Sequence, residues 1–148
     1  MKNINAYLQK LVGARANEVI CGGNFNGSVV ILVFNDRLVL TVQCCWRLIQ
    51  NDSIIASWNE ADNSIGSNFE LSVATLENDL VSDINISKYF DLDIGFKSGK
   101  KFQLFCDINK FWPEDYFDEN WFICDKELDF CFAINRNLKI IKTKYSTF

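Results

Sequence analysis

The side chains that could do chemistry in this 148-residue chain are carboxylates and thiols, because it contains no histidine. Without an imidazole there is no Ser-His-Asp or Cys-His nucleophilic site, no His-ligated zinc and no histidine general base. Carboxylate-only catalysis stays open. The acids gather between residues 107 and 129, as Asp107, Glu114, Asp115, Asp118, Glu119, Asp125, Glu127 and Asp129 against Lys110 and Lys126. The run Asp115-Tyr116-Phe117-Asp118-Glu119-Asn120 lacks the alternating oxygen ligands and central glycine of an EF-hand, so it assigns no metal. Phe111, Trp112, Tyr116 and Phe117 are interleaved with the acids. Aromatic side chains are common anchors of protein interfaces. A solvated loop, a protein-binding epitope and a metal or catalytic site compete for the segment, and the missing ligand spacing disfavours the last. The candidate partner-binding residues are Asp107, Phe111, Trp112, Glu114, Asp115, Tyr116, Asp118 and Glu119. No catalytic residue, metal or cofactor is assigned.

The thiols are Cys21, Cys44, Cys45, Cys106, Cys124 and Cys131, with no CxxC pair among them. Most fall inside apolar, strand-like runs, where a thiol behaves as a small hydrophobe. They are expected to be free and buried, as in a reducing cytosol. The glycine-rich stretch Gly22 to Ser28 lacks the Lys-Ser/Thr ending of a phosphate loop and leads into a strand, so it reads as a hairpin connection.

The elements that must position these groups are mostly strands. From Phe90 to Phe96 apolar residues alternate with Asp91, Asp93 and Gly95. After the turn Lys97-Ser98-Gly99-Lys100 the alternation resumes at Phe102, Leu104 and Cys106, the pattern of a β-hairpin with one wet face. Earlier, Ile4, Tyr7, Leu8, Leu11 and Val12 form one apolar stripe at helical period, with Asn3 as cap and Gly13 as stop. Strands are expected at 18–21, 29–34, 37–48 and 54–58, with a tight turn at Asn35-Asp36. A weaker helix is expected over 70–80, then strands at 81–86, 121–124, 128–134 and 138–141. Asp107 to Asn120 reads as a long loop. Arg136, Lys139, Lys142 and Lys144 make a basic, solubilising tail.

The two halves also resemble each other. Laying Phe96 on Phe34 matches Val30 and Leu32 to Leu92 and Ile94, and Trp46-Arg47-Leu48 to Trp121-Phe122-Ile123. A helix precedes each half, which suggests a repeat over about 1–60 and 69–135. The fold class expected is α+β: a mostly antiparallel sheet or sandwich of two meander-like units with one or two short packed helices. The core should include Leu8, Leu11, Val30, Leu32, Phe34, Leu40, Trp46, Leu92, Ile94, Phe96, Phe102, Leu104, Trp121, Phe130 and Phe132.

Length and composition suit a single domain, with hydrophobic residues at 49% and charged ones at 23%. A net charge of −4 lacks the basic footprint of general nucleic-acid binding. No apolar run approaches the roughly 18–20 residues of a membrane span, and the N-terminus lacks a signal peptide's apolar stretch. The expectation is a cytoplasmic protein without nucleic-acid or membrane partners.

The order of several pieces resembles small bacterial immunity proteins encoded beside contact-dependent growth-inhibition toxins. These pieces are Leu8 to Gly13 (LQKLVG), the strand–turn–strand of Val29 to Val42, Trp46-Arg47, the FKSGKKFQLF hairpin, and Phe117 to Trp121 (FDENW). The resemblance implies a non-enzymatic protein that binds a cognate toxin domain one-to-one and blocks it. Many such toxins are nucleases with a basic substrate face, which an acidic inhibitor would suit. Two other classes compete: a small-molecule-binding β-rich module, motivated by the phenylalanine content, and a carboxylate-dependent hydrolase.

Overall fold

The computed structural model describes residues 2–21, 27–62, 64, 66–108 and 119–147. Its first element, helix α1 (Lys2–Leu8), continues as a 3-10 turn over Gln9–Leu11. Ile4, Tyr7, Leu8 and Leu11 are buried, so the apolar stripe docks a helix too short to hold itself. Gly13 ends it at φ +84°, a left-handed position that glycine adopts without strain. Asn3 lies inside the helix and does not cap it. Helix α2 (Asn68–Ala74) starts and ends earlier than the sequence suggests. Ser67 caps it by accepting the Glu70 N–H on its hydroxyl, and turns then carry the chain to Asn78, whose φ is +68°.

Among the described residues eleven strands follow the pattern of alternation: β1 (Ala16–Cys21), β2 (Val30–Phe34), β3 (Leu38–Val42), β4 (Cys45–Gln50), β5 (Ser53–Ser57), β6 (Val81–Ile86), β7 (Leu92–Phe96), β8 (Lys101–Phe105), β9 (Glu119–Asp125), β10 (Phe130–Asn135) and β11 (Ile140–Thr143). They form two antiparallel sheets, ordered β1-β2-β3-β9-β10-β11 and β5-β4-β8-β7-β6. The fold is α+β, mostly antiparallel sheet with two short helices. Asn35-Asp36 and Asn51-Asp52 all have positive φ, as two-residue hairpin turns need, and both pairs are of residue types that tolerate it. One hydrophobic cluster joins side chains of both sheets and both helices, with Trp46, Trp121, Phe34 and Phe102 among its largest members. Of the expected core only Phe130 is incompletely buried, and it packs edge-on against Tyr7.

The single strand expected over 37–48 is instead two strands in different sheets. The break falls at Gln43-Cys44, where both N–H groups donate to the Asn120 carbonyl at 2.9 Å. That carbonyl satisfies the two donors where the chain crosses from one sheet to the other.

The hairpins β1–β2 and β6–β7 share one pairing scheme. Ala16, Val19, Ile20 and Cys21 meet Phe34, Leu32, Ile31 and Val30, while Val81, Ile84, Asn85 and Ile86 meet Phe96, Ile94, Asp93 and Leu92. Each hairpin has an irregularity after its first pair. Where β1 and β6 begin, Arg15 bridges Leu80. The Ala16 N–H donates to the Asp79 carbonyl, and the Val81 N–H to the Ala14 carbonyl. Strands β1–β3 then join β9–β10, and β6–β8 join β4–β5. Helix α1 packs on β10 through Tyr7, whose ring meets those of Phe130 and Phe132, and α2 packs on β1 and β5.

The cysteine expectation needs correction. Cys124 and Cys131 are disulfide-bonded, while Cys21, Cys44, Cys45 and Cys106 are free. The bonded pair lies directly opposite on β9 and β10, with Cα atoms 4.1 Å apart. Hairpin register creates this proximity, which a sequence separation of seven does not announce. Among the described residues no helix is long and apolar enough to cross a membrane.

Candidate functional site

Of the expected partner-binding residues, Phe111, Trp112, Glu114, Asp115, Tyr116 and Asp118 lie outside the described residues. The structure does describe Asp107 and Glu119, which bracket them, and the side chains that hold those two ends.

Asn120 is the centre of this anchor. It is fully buried. Its side-chain oxygen accepts the Asp107 N–H at 2.8 Å, and its amide donates to the carbonyls of Asp107 and Asn135, each at 3.0 Å. With the two N–H groups of Gln43 and Cys44 on its backbone carbonyl, one residue ties the exit of β8 to the entry of β9. A buried amide is stable only when satisfied in this way. Glu119 is half-buried and lies opposite Asn135 in the ladder.

The Asp107 carboxylate faces the surface. Arg136 Nη1 donates to it at 3.0 Å, and the Cys45 thiol lies 3.5 Å away. Burial first, then the negative field of Asp107, push the Cys45 thiol pKa up. The Cys44 thiol is raised further, by its hydrogen bond with Cys106 and by burial. Both thiols therefore stay protonated near neutral pH, the opposite of an activated nucleophile. Among the described residues no cluster of three or more Cys, Asp or Glu could hold a metal ion. Sequence reasoning missed Asn120 and treated Arg136 as tail charge. A lone asparagine ahead of the apolar run Trp121-Phe122-Ile123 was the available signal for the first.

Asp125, counted among the loop acids, has a different place. It is fully buried at the end of β9 and takes a two-pronged hydrogen bond from Arg37, Nε to Oδ1 at 2.9 Å and Nη2 to Oδ2 at 2.7 Å. The Glu127 and Leu128 N–H groups also donate to it, at 3.0 and 3.2 Å. Burial works against the charge, but these hydrogen bonds outweigh it and hold the carboxyl below its ordinary range. Arg37 also pairs with Glu127 at 2.8 Å. The Tyr7 hydroxyl faces this pair without reaching hydrogen-bond geometry, and its pKa is raised by burial and then by Asp125.

The described residues line at least two clefts. One, of about 320 Å³, is lined by Lys10, Asn35, Arg37, Leu38 and Asp125. The other, of about 310 Å³, is lined by Val19, Ile20, Cys21, Glu70, Ala74 and Glu77, and in it burial and then Glu70 raise the Cys21 thiol to about 11. Each lining carries charges, which does not suit an apolar ligand. No protein-family model matches the chain, and neither a curated protein nor a solved structure is significantly similar to it.

Proposed function

We propose that the chain is an immunity protein that binds a cognate bacterial toxin domain, such as a nuclease, one-to-one in the cytoplasm and neutralises it without catalysis. The observation that carries this reading is a difference between the two halves. Where β3 passes into β4 through Gln43-Cys44 alone, β8 passes into β9 through residues 106–118, the segment richest in acids and aromatics. An acidic and aromatic insertion whose ends are clamped by Asn120 on paired strands is how a scaffold presents a binding segment. The matching hairpin registers support a finer view of the frame: a single-domain sandwich of two copies of one helix-and-meander unit, about 1–60 and 69–135.

In this reading Phe111, Trp112 and Tyr116 supply the anchors, while Asp107, Glu114, Asp115, Asp118 and Glu119 steer a basic partner face. The net charge of −4 favours such a partner and disfavours nucleic acid.

The test is co-expression with the C-terminal toxin region of a large surface protein encoded directly upstream. A stoichiometric complex that rescues growth is expected; absence of any complex overturns the reading. Reversing the charges of Asp115, Asp118 and Glu119 together should weaken the complex at least tenfold. Unchanged affinity would move the epitope elsewhere without removing the function.

A further inference from the structure

Three free thiols gather where the chain crosses between the sheets: Cys44 and Cys45 at the start of β4, and Cys106 directly after β8. The β4–β8 ladder ends at the pair Cys45 and Phe105, so one step further Cys44 faces Cys106. The Cys44 N–H is taken by the Asn120 carbonyl at 2.9 Å, and the Cys106 N–H by the Asp91 carboxylate at 2.8 Å. The two residues therefore exchange no backbone hydrogen bond. A cross-strand pair of that kind holds its Cα atoms about 4.5 Å apart with the side chains drawn together, within the span of a disulfide.

The two side chains also share a face. Cys44 belongs to the buried core, and Cys106 packs against that core half-buried. The Cys44 thiol hydrogen-bonds to the Cys106 sulfur, and the Cys106 thiol in turn donates to the Phe90 carbonyl at 3.3 Å. Cys45 is turned the other way, toward Asp107 at the surface. Cys124 and Cys131, which also lie directly opposite on neighbouring strands, are already bonded.

We propose that Cys44 and Cys106 are a redox-active dithiol, which a low-molecular-weight disulfide oxidises reversibly to a second cross-strand bond. Half-buried Cys106 is the point of entry. Its thiolate attacks one sulfur of the small disulfide, bonds to it and releases one small thiol. Cys44 is only 3% exposed, out of reach of the small molecule but in contact with Cys106. As thiolate it attacks the Cys106 sulfur and expels the second small thiol. Two electrons pass from the pair to the small disulfide, and the two cysteine protons end on the two thiols it becomes. Because the Cys44 thiol resists ionisation, this second step is slow near neutral pH. The new bond lies beside the clamp, since the N–H groups of Cys44 and Asp107 both end on Asn120. Oxidation thus ties the first residue of segment 106–118 covalently to the crossing between the sheets. The inference rests on these thiols and their strands, so it stands whether or not the segment binds a toxin.

The test is incubation of the native full chain with about 1 mM oxidised glutathione at about pH 8, an acid quench, and non-reducing peptide mass mapping. The expected product carries a 44–106 linkage beside the 124–131 one, and excess reduced glutathione reopens the new bond. Because it closes a long loop, it should raise the thermal midpoint by at least about 5 °C. Cys45→Ser should leave the linkage unchanged. Cys106→Ser, a change of one atom at a half-buried place, should abolish it and leave Cys44 free of glutathione. Absence of the 44–106 linkage in wild type overturns the proposal, whether or not Cys106 carries glutathione. So does a bond from Cys106 to Cys45, or a 44–106 bond that forms only in urea.

Discussion

Trp46 and Trp121 are bonded alike: each is buried, and each indole N–H donates to a carbonyl two residues ahead of a strand. The Trp46 indole reaches Ser28, before β2, at 2.7 Å, and that of Trp121 reaches Phe90, before β7, at 2.9 Å. Trp→Phe at either position removes the donor, strands a carbonyl and opens a small void. Each change should cost about 2–3 kcal/mol in urea unfolding. A cost under about 0.5 kcal/mol at one position alone would break the equivalence of the two sites.

Asp125 gives the protein an acid limit. Its folded pKa lies below the ordinary carboxylate value, so the stability it contributes is present above about pH 4 and is lost as pH falls through the lowered value. Asp125→Asn should cost about 2–3 kcal/mol at neutral pH, because Arg37 loses its buried partner and keeps only the exposed Glu127. The variant should also lose less stability than wild type on going below pH 4. Parallel pH profiles in thermal melts would contradict the assignment.

The disulfide closes a short loop between strands that are already paired, so its contribution should be modest. Replacing Cys124 and Cys131 together by alanine should lower stability by about 2 kcal/mol, with the hairpin retained. Non-reducing peptide mass mapping should recover the 124–131 linkage and leave Cys21, Cys44, Cys45 and Cys106 alkylatable after unfolding.

Asn120 should matter more to stability than its size suggests. Asn120→Ala removes three side-chain hydrogen bonds in a fully buried place and should cost about 2–4 kcal/mol. Arg136→Ala breaks an ion pair whose carboxylate is half exposed, and should cost about 1 kcal/mol or less. Chemical denaturation of both variants distinguishes the clamp from the surface pair. Equal costs would mean that Asn120 is not the anchor.

Cys44 limits the protein at the alkaline end. Its thiol pKa is raised in the folded state, so the stability it contributes is present below the unfolded thiol value of about 8.5 and is lost as pH rises beyond it. Iodoacetamide should leave Cys44 unmodified at pH 8 in the native protein. Cys44→Ala should flatten the loss of melting temperature between about pH 8.5 and 10. Rapid native labelling of Cys44 would contradict its burial.

Local pattern carried much of the fold into the sequence. The alternation through Leu92, Ile94 and Phe96, the Gly99 turn, and the Asn35-Asp36 and Asn51-Asp52 pairs fix strands and hairpins through side-chain period and backbone preference, which are properties of neighbouring residues. So is the stripe from Ile4 to Leu11. What the chain does at Gln43-Cys44 is not local. The run 37–48 is apolar enough to read as one strand, and it is the distant Asn120 carbonyl that takes both N–H groups where the chain crosses to the second sheet. The same holds for the candidate site. Composition marked residues 107–119 as acidic and aromatic, but the clamp that holds their ends combines Asn120, Asn135 and Arg136 from strands β9 and β10 and the turn beyond. Asp125, identical in type to its neighbours, became a buried ion pair because β3 lies beside β9 and brings Arg37 to it. Sequence alone determined the faces of the strands. Pairing between distant strands, which depends on backbone hydrogen bonds and burial that no short window contains, decided the sheets, the disulfide and the roles of the acids.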